Sequence, residues 1–300
     1  MSENQPEPIF DAGLAVARKL RALRAAPAGA DFLMRRAVED LAERLDAVPR
    51  RFGRAAALFC QTGAAAQALR ATGKADAVVR VEADAALLAT GEDEGEDGGE
   101  SGIVAAPETV PFEPESLDLA VSLYHLHEVN DVPGMLVQIR RALKPDGLFL
   151  GCLTGAGTLA ELREALLAAE TELAGGASPR VSPLVDVRDA GALLQRARFA
   201  LPVADHETVT VRYDSMFSLM RDLRAMGATS SLTARSRRPA TRALLARAAE
   251  IYAERFSDPD GRVRATFSTI WLSGWAPHAS QQKPARPGSA TVSLAKILGK

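Results

Sequence analysis

The chain reads as an α/β fold, a mostly parallel sheet with helices on its faces, and three observations predict it. Two apolar runs, Leu117 to Leu123 and Leu148 to Leu153, are too short for typical helices and are separated by one amphipathic helical stretch. A strand–helix–strand connection of this length makes a right-handed parallel crossover. An earlier run with the shape of a nucleotide-binding first strand–turn–helix unit ends its turn at Gly63, and nineteen residues on, an acid, Glu82, closes the next predicted strand. Finally, 300 residues at 47% hydrophobic and 25% charged suffice for one large α/β domain with an accessory part.

Taken in order, residues 12 to about 48 repeat leucines at helical spacing, and Pro27-Ala28-Gly29 divides them into two helices that lead into the sheet. Ala55 to Phe59 is the first strand, Cys60-Gln61-Thr62-Gly63 its turn, and an alanine-rich helix runs to about Ala71. Ala77 to Glu82 is the second strand. Glu82 suits a carboxylate reaching the ribose hydroxyls of a nucleoside over the first turn, and it suits a solvated surface acid equally. The acidic, glycine-rich run from 91 to 102 reads as a flexible loop, and Ile103 to Ala105 as a short third strand.

The stretch SLDLAVSLYHLHEVNDVPGMLVQIRRALKPDGLFLGCLTG, from Ser116 to Gly155, is a complete unit. Asp131 is placed to cap its helix and Pro133 to occupy the first turn, while Lys144-Pro145-Asp146-Gly147 ends it as a turn that Gly147 makes permissive. Helices follow at about 158–173, 189–198, 216–226 and 241–256, with a one-face-exposed strand at 207–213. ATFSTIWLSGW, from Ala265, closes the sheet, and a disordered tail over 277–300 ends the chain.

A net charge of −2 leaves no basic footprint for nucleic acid, and no apolar run approaches the roughly 18 residues of a membrane span. The first residues, MSENQPEPIFD, lack the basic start and apolar core of a signal peptide, so a cytoplasmic protein is expected. Cys60 and Cys152 fall in or beside strands and read as buried free thiols.

The loop between the two apolar runs gathers His125, His127, Glu128, Asn130 and Asp131 at the carboxyl edge of the sheet, where ligands of such folds collect. Imidazole and carboxylate suit a metal, but two histidines at i and i+2 on an extended segment point to opposite sides, and no metal is assigned. The alternative is a hydrogen-bonding or general-base role for His127 and its neighbours.

The order of elements resembles a class I S-adenosylmethionine-dependent methyltransferase: a first turn, an acid ending the second strand, PFEPESLDL, and LKPDG before the fifth strand. More narrowly, LHEVNDVPGMLVQIRRALKPDGLFLG, TLAELREALLAAETELAGGASPRVSP and MFSLMRDLRAMG are similar to bacterial relatives of a mitochondrial complex I assembly factor that has a methyltransferase fold and hydroxylates an arginine. A methyltransferase of biotin synthesis acting on a malonyl carrier protein is a more distant likeness. The resemblance implies a Rossmann-like class I methyltransferase sheet, mostly parallel with the last strand antiparallel. It implies an N-terminal helical cover over 1–50 and a methyltransferase-like domain over 51–276, with a helical insertion at about 214–256 before the final strand.

Carried across residue by residue, the family's D-L-G-C-G-T-G turn corresponds to Ala57, Leu58, Phe59, Cys60, Gln61, Thr62 and Gly63, so an acid and two glycines are replaced. Ala106 stands where an Asp commonly meets the adenine, and Glu128 where relatives often carry Trp. The side chains of Phe59 and Gln61 are expected in space that the amino-acid half of S-adenosylmethionine normally approaches. On this reading Cys60, Thr62, Gly63, Glu82, Ser122, Leu123 and Tyr124 bind S-adenosylmethionine, and His127, Asn130 and Asp131 face the acceptor. Three functions are expected in order: an S-adenosylmethionine-dependent methyltransferase-like protein; an assembly factor that hydroxylates a respiratory complex I subunit or other protein substrate; and a non-catalytic binding module on the same fold.

Overall fold

The structure is a computed structural model that describes residues 7–25, 29, 31–90, 102–176 and 178–282. In chain order the elements are α1 (Ala12–Ala25), α2 (Phe32–Asp46), β1 (Phe52–Leu58), α3 (Ala64–Ala71), β2 (Ala75–Glu82), α4 (Ala85–Leu88), β3 (Ile103–Val104) and β4 (Leu117–Leu123). They continue as α5 (Val132–Ala142), β5 (Leu143–Thr154), α6 (Ala160–Ala174), α7 (Val187–Arg196), β6 (Ala200–Tyr213), α8 (Met216–Ala225), α9 (Arg242–Phe256) and β7 (Val263–Trp275). The expected acidic loop falls, but for Gly102, outside the described residues, as does the tail from 283 onward.

The strands form one sheet of seven in the order β3-β2-β1-β4-β5-β7-β6. β7 runs antiparallel to β5 and β6, and the other pairings are parallel. The sequence placed β7 as the closing strand; it lies one in from the edge, and β6 forms the edge. Side chains alternate between two layers. Ala55, Ala57, Leu119 and Val121 pack with Leu41, Leu45 and Leu69 on one face, while Ala56, Leu58 and Ala120 pack with Met135, Leu136, Ile139 and Leu194 on the other. The alanines of β1 are 0–2% exposed, which explains how so weakly apolar a run serves as a central strand: small side chains let helices close on it from both sides. A third cluster joins α6, α8 and α9 over Phe267 at the far end of the sheet.

The helix of the central unit forms as its sequence dictates. Asp131 caps α5 by accepting from the Gly134 amide at 2.8 Å, with Pro133 in the first turn. The segment after it differs from expectation. Leu143 already pairs with Leu117, and Leu148 pairs with Leu119, so Lys144 to Gly147 bulge out of a ladder that has begun. Lys144 Nζ reaches Asp118 Oδ2 at 2.9 Å and holds the bulge. The left-handed residue is Asp146, at φ +64, and not Gly147. Gly147 is needed for close approach, because a Cβ there would lie 2.9 Å from the Lys144 carbonyl oxygen.

Candidate functional site

The carboxyl ends of β1, β2, β4 and β5 meet beneath α1, the start of α2 and the end of α8. Between them lies a cavity of about 390 Å³. Its walls are largely apolar, from Leu23, Leu33, Met34 and Met226, and its polar groups come from Lys19, Asp31, Gln61, Thr62, Tyr124, His127, Glu128 and Thr154. Beside it is a second space of only about 20 Å³, enclosed by Phe59, Glu82, Leu87, Pro107, His125 and the first turns of α1. Lys19 and Glu128 belong to both, and their ion pair of 2.9 Å stands between them.

The loop after β4 supplies the cavity floor. Tyr124 carries φ +52, a conformation that costs a bulky residue on the order of 1–2 kcal/mol, and its hydroxyl bonds to Thr269 Oγ1 at 2.8 Å. The one-turn helix from Leu126 to Glu128 then turns His125 and His127 to different sides. His125 contacts the small space, its Nε2 2.6 Å from the Pro107 carbonyl oxygen. His127 contacts the large cavity, and its Nδ1 accepts weakly from the Thr154 amide at 3.5 Å, which assigns the ring proton to Nε2. Burial pushes His125 down to about 3 and His127 down to about 4, so both imidazoles are neutral near pH 7. Burial acts upward on the Glu128 carboxyl, but the Lys19 ammonium outweighs it and holds the group below the usual carboxylate range. Glu128 is therefore an anion inside the protein. Among the described residues no three His, Cys, Asp or Glu converge as a metal set.

Of the residues expected to face an acceptor, His127 lines the cavity; Asn130 and Asp131 do not. Asn130 is a clamp: its Oδ1 accepts from the Phe10 amide at 2.8 Å, and its Nδ2 donates to the Phe10 carbonyl and to Glu108 Oε1. Asp131 is committed to the α5 cap. Of those expected to bind cofactor, Thr62 and Tyr124 reach the cavity and Glu82 faces the small space. Cys60, Ser122 and Leu123 are no more than 1% exposed, because the strand ends that carry them are covered on both faces. Burial pushes the Cys60 thiol up to about 12, and both cysteines are free. Gly63 was expected to supply the permissive backbone, yet it has φ −70 and begins α3. The left-handed positions of the turn are Phe59 at +54 and Gln61 at +63, the two places where a glycine of the family pattern has been replaced.

Sequence reasoning missed Lys19, which lies on a helix about a hundred residues from Glu128 in the chain, and nothing in its spacing announces a partner. It also missed the wall formed by Met226, Gly227 and Ala228. Gln61 joins that wall to the first turn through Nε2, which donates to the Met226 carbonyl at 3.1 Å.

S-adenosylmethionine, the cofactor the resemblance implies, meets suitable chemistry here but too little room. Glu82 closes β2 as the ribose-binding acid should, but it is 2% exposed, and burial pushes its carboxyl up to about 7. Phe59 stacks on His125 with ring centroids 4.6 Å apart, and both rings wall the small space that Glu82 faces, not the larger cavity. About 20 Å³ holds roughly one water. The cofactor does not fit this conformation.

Comparison with known proteins places this geometry. A family model described as a methyltransferase domain matches residues 58–151. The YcgJ protein of Bacillus subtilis superposes with a TM-score of 0.55 over 80% of this chain and 99% of its own, at 16% identity, a likeness of fold. The arginine-hydroxylase NDUFAF5, mitochondrial, of Dictyostelium discoideum is 44% identical over 63% of this chain, and the match spans 43% of that protein's length. The human protein of the same name is 39% identical over 290 residues, 96% of this chain and 83% of its own. On that similarity over most of both chains, with a methyltransferase domain match over residues 58–151, the chain belongs to the family of the NDUFAF5 arginine hydroxylases.

Proposed function

We propose that the protein modifies an arginine side chain of a protein partner, held in the cavity of about 390 Å³, by hydroxylation as the name of its relatives indicates, a C–H bond becoming C–OH with dioxygen and a two-electron reductant as co-substrates and water as the second product. The observation that carries this reading is the pairing of an apolar wall with an internal anion. An arginine side chain has an apolar stem and a planar cationic head that donates five hydrogen bonds. Leu23, Leu33, Met34 and Met226 suit the stem. Glu128 suits the head: a carboxylate accepts at about four lone-pair positions, and the contact with Lys19 uses a part of them. Neutral His127 stands beside Glu128 as a further polar group. The family resemblance implies a respiratory complex I subunit as the partner. A methyltransferase reading rests on the domain match, and the same experiment separates the two.

Proteins of a wild-type strain, a deletion strain and a deletion strain complemented with Glu128→Gln are compared by peptide mass spectrometry. An arginine that carries one extra oxygen in the wild type, loses it in the deletant and recovers it poorly with Glu128→Gln is the expected result. An arginine that differs by a methyl group instead overturns hydroxylation, and no difference at any arginine overturns the proposal.

A further inference from the structure

We infer that this chain has filled the nucleoside part of its fold's cofactor site with its own Phe59 ring and the first half of α1, so that S-adenosylmethionine is not its resident cofactor. The inference goes beyond the reading of the arginine cavity and can fail independently of it.

Four features of the structure converge on it. The Phe59 ring is 3% exposed and stacked on His125, which is itself anchored on the Pro107 carbonyl, so the ring has a fitted seat and is not a side chain swung in from solvent. Phe59 keeps a left-handed backbone, φ +54, that costs a side chain on the order of 1–2 kcal/mol and that glycine adopts freely. The backbone path that glycine makes easy has been retained, and the space it leaves is occupied by a buried ring. Glu82, the acid that ribose hydroxyls would meet, is 2% exposed and faces only the space of about 20 Å³.

The fourth feature is the cover. Ala12, Ala15, Val16 and Lys19 of α1 close the space above Glu82, and Lys19 seals it from the larger cavity through Glu128. This cover is fastened at its start. The Asp11 amide donates to the Ser231 carbonyl at 2.8 Å, Thr233 donates to the Ile9 carbonyl at 2.9 Å, and Asn130 grips both polar groups of the Phe10 backbone. Admitting a nucleoside therefore requires expelling an aromatic ring and lifting a helix held at three points.

The test is calorimetric titration of the full chain with S-adenosylmethionine and with S-adenosylhomocysteine. The parent protein is expected to give no saturable heat at millimolar ligand. Phe59→Gly combined with Gln61→Gly, which restores both glycines, is expected to bind at least about tenfold more tightly, a gain of about 1.4 kcal/mol. Circular dichroism checks that this variant folds; if it does not, Phe59→Ala, which removes the ring alone, is titrated with the same expectation. Saturable binding by the parent overturns the inference, and so does a folded variant that binds no better than the parent. Loss or retention of arginine oxidation in the cell does not enter this readout.

Discussion

Two strand–helix units lie side by side at the centre of the sheet, β1 with α3 and β4 with α5, and the chain has treated them differently. The β4 unit keeps four devices its sequence announces: a strand buried on both faces, an Asp cap, a proline in the first helical turn, and an apolar stripe of Met135, Leu136 and Ile139. The β1 unit keeps the backbone path of a ligand-binding turn and changes what lies along it. Phe59 and Gln61 hold left-handed conformations, Ala57 stands in place of an acid, and the ring of Phe59 is buried. The difference shows that a fold can preserve the geometry of a site after the chemistry has been exchanged, because backbone register is fixed by strand pairing while the turn's side chains answer only to the space around them.

The largest effect is expected where the comparison is most purely about packing. Leu119, wholly buried in β4 and packed in the layer with Leu69 and Leu148, has no role at either cavity. Leu119→Ala is expected to destabilise the protein by about 2–5 kcal/mol through lost burial and a residual cavity, measured by chemical denaturation. A cost below about 1 kcal/mol would mean that the β4 unit is not the rigid half of the pair.

That rigid half is also the legible half. Its strands, cap and helix face follow from residues adjacent in sequence, since apolar period, proline and a capping acid act within one or two turns. The bulge at Lys144 to Gly147 was not legible, because it is set by Asp118 on the neighbouring strand, which receives both Lys144 Nζ and the Arg54 amide. The site was legible only in part. His127, Thr62 and Tyr124 lie in the segments that follow β4 and β1 at the carboxyl edge, where position in the sheet predicts access. Lys19 could not be read, because its role depends on how α1 lies over the sheet. Asn130 was misread for a related reason: a polar side chain in a ligand-edge loop serves a site and a distant backbone equally well in one dimension, and Phe10, its partner, is 120 residues away.

Asn130 gives the intermediate prediction, for it ties the intact unit to the cover that lies over the altered one. Asn130→Ala removes the acceptor for the Phe10 amide and the donors to the Phe10 carbonyl and Glu108. A loss of about 1–3 kcal/mol is expected in global stability. Hydrogen exchange is expected to rise along α1 well before it rises in α5. Equal acceleration in both helices would show that the loop supports the whole edge of the sheet and does not serve α1 in particular.

The smallest effect belongs to Glu82, and it separates the two units by pH. Burial raises its carboxyl to about 7 in the folded protein, against an ordinary value of 4.5. Between those values the folded state binds more protons than the unfolded state, so this group's contribution is full below about pH 4.5 and is lost as the pH rises through about 7. His125 and His127 act in the opposite sense. Their folded values lie near 3 and 4, below the ordinary 6.5, so their contributions are present above about pH 6.5 and are lost on acidification. In a comparison of Glu82→Gln with the parent the histidine contributions cancel and the carboxyl remains. The melting-temperature difference is expected to move in the variant's favour between pH 5 and pH 8, by an amount equivalent to about 1–2 kcal/mol. A difference that stays constant across that range would mean that Glu82 ionises as readily in the folded chain as in the unfolded one. The space beneath α1 would then be wet and open enough to solvate a carboxylate, and the contrast between a sealed turn and an open cavity would lose its physical basis.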